Sequence, residues 1–85
     1  MIEIRDDEKK VLGCLVHPEK IASVTEETGL SPKVVRDIIR TLWHYRYIKA
    51  VDPTGKEVLM VDVDLLHKAR FCMTAKGINA YGSVS

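Results

Sequence analysis

The chain is poor in the residues that build disulfide-stapled, fibrous or membrane proteins. Its 85 residues include two cysteines, three prolines and five glycines. Two cysteines make one bridge at most, so a disulfide framework is excluded as the main source of stability. Cys14 and Cys72 are far apart in sequence and set among apolar residues. A single bridge between them stays open, but buried reduced thiols are preferred. So few prolines and glycines exclude a collagen-like or low-complexity chain. No apolar run approaches the roughly 18 residues that a membrane span needs. The first eight residues, Met1-Ile2-Glu3-Ile4-Arg5-Asp6-Asp7-Glu8, are acidic and lack the apolar core of a signal peptide. A cytoplasmic protein is therefore expected. There is also no Gly-rich phosphate loop, no nucleophile motif and no paired acid–base constellation, so no enzyme, cofactor or small-molecule substrate is expected.

What is present is an ordinary globular composition, 46% hydrophobic and 29% charged. This length and balance predict one domain over residues 1–85. A chain this short buries a modest core. The net charge of +1 hides a strong partition. Residues 1–32 hold four basic and seven acidic side chains, a net of −3. Residues 33–49 hold Lys33, Arg36, Arg40, Arg46 and Lys49 against Asp37, a net of +4. Residues 50–64 return to −3, and residues 65–85 carry Lys68, Arg70 and Lys76 with no acid. A polyanion responds to that local field rather than to the total.

The pattern of apolar residues gives the elements. Asp6 or Asp7 can cap a first helix, and acids in its first turn favour the helix dipole. Val11, Leu12, Leu15 and Val16 form its apolar stripe, and His17-Pro18 ends it. A second helix begins at Glu19 or Ile21, ends at Thr28 and buries Ile21, Ala22 and Val24. Gly29 stops it, since glycine enters the left-handed region without strain. Ser31 is the cap of a third helix over residues 32–45, and Pro32 takes its first position. At about 100° per residue, Val35, Ile38, Ile39 and Leu42 share one side of this helix, and Lys33, Arg36, Asp37, Arg40 and His44 share the other. Any surface helix has a polar face. Here four of the five polar positions are basic or potentially basic, which points to a functional face.

Residues 47–51, 57–63 and 70–73 are β-prone, and Asp52-Pro53-Thr54-Gly55 between the first two is turn chemistry. Thr74 is placed to cap a closing helix over residues 75–81. Short strands need a packed face, so this small sheet must lie on the helices. The fold class expected is α+β: a three-helix bundle with a helix-turn-helix, a small antiparallel β-sheet wing and a short C-terminal helix.

Three stretches carry a family resemblance. Glu27-Thr28-Gly29-Leu30-Ser31-Pro32 is similar to a "TGLS" turn between two helices. Val35-Arg36 through Leu42 to Tyr47-Ile48 is similar to a recognition helix and its exit into a strand. Met73-Thr74-Ala75-Lys76-Gly77 is similar to the "LTxKG" that closes a wing. In this order they resemble winged helix-turn-helix proteins, such as the MarR-, ArsR- and PadR-like transcriptional regulators. Two departures stand out. These families usually carry glycine where this chain has Arg46, so a strained turn or a longer helix is expected there. The segment between Gly55 and Arg70 also exceeds a minimal wing, leaving a long wing or an extra strand.

The resemblance implies sequence-specific binding of double-stranded DNA by a transcriptional regulator. The helix over residues 32–45 would enter the major groove, and the wing over residues 47–73 would lie on the flanking backbone. The candidate DNA contacts are Ser31, Lys33, Arg36, Asp37, Arg40, His44, Thr54 and Lys56. Arg36 and Arg40 can bond a guanine edge or a phosphate, and Ser31 and Lys33 a phosphate. Asp37 can accept from a cytosine amine, but pairing with Arg36, Arg40 or Lys33 one turn away is preferred. Such regulators usually bind as dimers, and the candidate surfaces are the Trp43/Tyr45 flank, the strand edge over residues 58–63, and Tyr81. Trp43 reads more simply as an aromatic at the border of the core. No pair among Cys14, His17, His44, His67 and Cys72 has ligand spacing such as CxxC or HxxxH, so no metal is expected. Asp62 and Asp64 read as solvated strand positions. The alternative function is a winged-helix protein-interaction module in a transcription or replication complex, which the acidic first third keeps open.

Overall fold

The computed structural model describes residues 4–59, 66 and 68–83. Its elements are α1 (Asp6–Cys14), β1 (Glu19–Lys20), α2 (Ile21–Thr28), α3 (Pro32–His44), β2 (Ile48–Val51), β3 (Glu57–Val58), β4 (Arg70–Met73) and α4 (Ala75–Ser83). The fold is α+β, as the sequence pattern requires, with the helices packed on an antiparallel sheet of order β1-β4-β2-β3.

The first helix departs from expectation at both ends. Its cap is Arg5, not Asp6 or Asp7, and the Arg5 N–H donates to the Glu8 carboxylate at 2.9 Å. The helix ends at Cys14, before the proline can act. The Leu15 N–H donates to the Leu12 carbonyl at 3.0 Å, a tightened last turn. Val11, Leu12 and Leu15 are fully buried, but Val16 lies beyond the helix and is 61% exposed. Glu19 and Lys20 then pair with Phe71 and Arg70 as a short edge strand, which removes Glu19 from the second helix. In α2, Ile21 and Val24 are buried while Ala22 is exposed, contrary to the expected stripe.

The turn and third helix form as read. Gly29 adopts φ 73°, and Ser31 accepts the Val34 N–H at 3.3 Å, with Pro32 opening α3. Val35, Ile38, Ile39 and Leu42 are all buried. They join Val11, Leu12, Leu15, Val24, Ile48 and Phe71 in one core. Each such side chain contributes about 1.5–3 kcal/mol by leaving water. Trp43 is half-buried and meets Phe71 edge-on at 6.0 Å, which places it at the border of the core.

The exit from α3 explains the Arg46 departure. Arg46 takes φ 64°. Its N–H donates to the Trp43 carbonyl, and the Tyr47 N–H reaches back to the Leu42 carbonyl, both at 3.0 Å. This is the bonding of a Schellman cap, with arginine at the position where glycine is usual. The helix is not lengthened; the chain accepts a left-handed arginine, at a strain of about 1–2 kcal/mol.

The last motif fastens α4 to that same turn. The Thr74 hydroxyl donates to the Arg46 carbonyl at 2.7 Å and accepts the Gly77 N–H at 3.1 Å, and the Thr74 N–H donates to the Tyr47 carbonyl at 3.0 Å. A Cβ on Gly77 would collide with the Tyr47 carbonyl. Glycine is therefore what lets α4 dock on the start of β2. β2 pairs with β4 along its length, and with β3 through Ala50↔Val58 and Val51↔Glu57. The expected second strand is seen only as Glu57–Val58, and Leu59 is 81% exposed. The rest of that run, with Asp62, Asp64 and His67, lies outside the described residues, as does the choice between a long wing and an extra strand.

Candidate nucleic-acid interface

The buried stripe of α3 fixes what its other side presents. Lys33, Asp37, Arg40 and His44 are exposed, and Arg36 is half-buried. Among the described residues no ion pair engages Lys33, Arg36, Asp37 or Arg40, so the expected pairing of Asp37 along the helix is not formed. The Asp37 carbonyl instead accepts the Thr41 hydroxyl at 3.0 Å. At the head of the helix, the Ser31 oxygen accepts the Val34 N–H as a cap. Among the described residues its own hydroxyl proton is donated to no partner.

The other wall of the surface comes from the sheet and from α4. An open groove of about 1360 Å³ runs beside α3, lined by Arg36, Asp37, Arg40, Trp43 and His44 from the helix. Arg46, Lys49, Glu57, Thr74 and Lys76 line it from the turn, β2, β3 and the start of α4. Among the described residues its five cations face two carboxylates. The Lys76 ammonium lies 5.4 Å from the centre of the Tyr47 ring, a cation–π contact that holds it at this position. Four of the sequence candidates, Arg36, Asp37, Arg40 and His44, are brought together in the groove; Ser31, Lys33, Thr54 and Lys56 lie outside its lining. The residues the motif reading missed are Arg46, Lys49 and Lys76. The signal for them was the excess of basic residues on both sides of the acidic segment 50–64.

No protein-family model matches the sequence, and no relative is found among curated proteins. Solved structures do match. Three mutant structures of Lactococcus lactis ZitR superpose with TM-scores of 0.75, 0.74 and 0.73, at 15% sequence identity. They cover 96–98% of this chain and 51% of the ZitR chain. This chain therefore spans about half the length of the ZitR chains it matches. The fold is a winged helix. In that frame α3 is the second helix of the helix-turn-helix, and β2, the turn and β3 belong to the wing.

The wing turn is built around one carboxylate. Asp52 accepts the Thr54 N–H at 2.9 Å, the Thr54 hydroxyl at 2.6 Å and the Lys56 N–H at 2.9 Å, and its carbonyl accepts the Gly55 N–H at 2.9 Å. Gly55 takes φ 89°, as the turn requires. The Thr54 hydroxyl, foremost, and these backbone donors hold the Asp52 carboxyl below its usual range. The turn is thus a closed network carrying a negative charge.

The cysteines take no part in this surface. Both are free and half-buried rather than fully buried. Burial, with Glu27 beside it, pushes the Cys14 thiol up to about 11, and burial pushes Cys72 up as well. Both are protonated near neutral pH and are weak nucleophiles. Among the described residues no group of three or more His, Cys, Asp or Glu side chains could hold a metal ion. No helix among them is long and apolar enough to cross a membrane.

Proposed function

We propose that this chain binds double-stranded DNA and regulates transcription, as a cytoplasmic winged helix of the MarR/ArsR/PadR-like kind. The observation that carries this reading is the outer face of α3, where Lys33, Arg36 and Arg40, with no ion pair among the described residues, project from a helix anchored by four buried apolar residues. In the winged-helix frame that face enters the major groove, its N-terminal residues nearest the base edges. Arg36 and Arg40 are assigned to guanine edges or phosphates, and Ser31 and Lys33 to phosphates. Asp37, unpaired on the same face, is free to accept from a cytosine amine. His44 closes the row. Thr54 and Lys56 are the wing-turn candidates. Two such domains on paired half-sites would form a dimer, with Tyr45 and Tyr81, both partly exposed, as candidate contacts.

An electrophoretic shift of mixed-sequence duplex DNA at low salt tests the reading. A retarded complex at micromolar protein is expected. No complex at tens of micromolar would hand this surface to a protein partner instead.

A further inference from the structure

We infer that the groove between α3 and the sheet carries a DNA phosphate strand, held by Arg46, Lys49 and Lys76, and that the β2–β3 turn adds little to binding. The inference rests on the DNA reading above and assigns contacts that the helix-turn-helix pattern does not.

Three observations support it. The first is the balance of charge. Among the described residues five cations and two carboxylates line the groove, whereas the turn region offers Lys56 against Asp52 and Glu57. A backbone with one charge per ~1.7 Å of duplex follows the positive wall. The second is the state of the donors. In the turn, the N–H groups of Thr54, Gly55 and Lys56 and the Thr54 hydroxyl all bond to Asp52, so only the Lys56 ammonium remains for a phosphate. In the groove, the Lys49 and Lys76 ammonium groups carry no ion pair among the described residues. The third is shape. Small-molecule sites are enclosed, mostly apolar cavities of ~300–1,000 Å³. This groove is larger, at about 1360 Å³, and open, and its lining sets Arg and Lys side chains among the apolar Ile48, Leu59 and Leu66. That suits an extended polyanion better than a compact ligand.

Placement fits as well. Arg46 is fixed by the Schellman turn, with its carbonyl bonded to Thr74, and Lys76 rests against Tyr47. Both cations sit on anchored backbone, and the ring contact lessens the side-chain freedom that Lys76 loses when a phosphate arrives.

The test is a salt titration of the full chain with fluorescently labelled duplex DNA, read by anisotropy. The variants are Lys49→Gln combined with Lys76→Gln, Arg46→Asn, and Lys56→Gln. Asparagine tolerates a left-handed backbone, so Arg46→Asn removes the charge without blocking the turn. Circular dichroism confirms that each variant is folded. Each lost phosphate contact lowers the slope of log affinity against log salt by about 0.9. The double variant is expected to lose about 1.8, Arg46→Asn about 0.9, and Lys56→Gln nothing measurable. A wild-type slope in the double variant, or a full unit lost in Lys56→Gln, overturns the groove assignment while leaving DNA binding intact. Wild-type protein that fails to bind duplex DNA at low salt overturns the functional reading and the groove assignment together.

Discussion

The outer face of α3 and the β2–β3 turn are both polar, exposed and expected to meet DNA, yet their polar groups are in opposite states. On α3 the backbone is satisfied by the helix, the apolar stripe is buried, and Lys33, Arg36 and Arg40 carry no ion pair among the described residues. In the turn, one carboxylate gathers two N–H groups and a hydroxyl to hold the loop in shape. The contrast shows that residue type is a poor guide to a binding surface. Thr54 and Ser31 both bear hydroxyls at predicted contact points, but the Thr54 proton is already donated and the Ser31 proton is not.

The largest effect falls on α3. Arg36→Ala and Arg40→Ala should each weaken duplex binding by about 1–3 kcal/mol and relax sequence preference, measured by anisotropy against a panel of duplexes. Two unaffected variants would remove the difference between helix and turn. Next is Gly77→Ala, which forces a methyl into the Tyr47 carbonyl and pushes α4 off the groove's rim. A loss of about 1–3 kcal/mol in urea unfolding is expected, of the size seen for overpacking. Arg46→Gly separates fold from binding. Relief of the left-handed strain should outweigh the added freedom of the unfolded chain, raising stability by about 0.5–1 kcal/mol while DNA affinity falls.

The smallest effect is in the turn. Asp52 has a lowered pKa in the folded state, so its contribution is present above the ordinary aspartate value of 3.8 and fades as pH falls through the folded value. Thermal midpoints of the wild type and Asp52→Asn should therefore differ slightly at neutral pH and converge in acid. Midpoints that diverge on acidification would contradict the network drawn around this carboxylate.

Much of the fold was legible because local chemistry and tertiary structure agree there. Gly29, Ser31 and Pro32 each perform the role their covalent structure dictates, and the stripe Val35, Ile38, Ile39 and Leu42 is buried at every position. The misreadings lie where a long-range contact decides. Glu19 and Lys20 are drawn into a strand by Phe71 and Arg70, which no local pattern announces. Val16 fits the helical period of α1, but the helix closes before it. The candidate site was half legible. Arg36 and Arg40 stand out by angle on one helix. Arg46, Lys49 and Lys76 reach the same groove from a turn, a strand and a second helix, and only the sheet register brings them together.

If the cations beside and on α3, which carry no ion pair among the described residues, make this winged helix a duplex DNA binder, its affinity must depend steeply on salt. The most direct measurement is the affinity of the wild-type chain for mixed-sequence duplex DNA at two salt concentrations. Six cations on phosphates, Lys33, Arg36, Arg40, Arg46, Lys49 and Lys76, predict a fall of up to about a thousandfold between ~50 and ~200 mM salt. An affinity that does not change across that range, or no binding at the lower salt, would contradict the account.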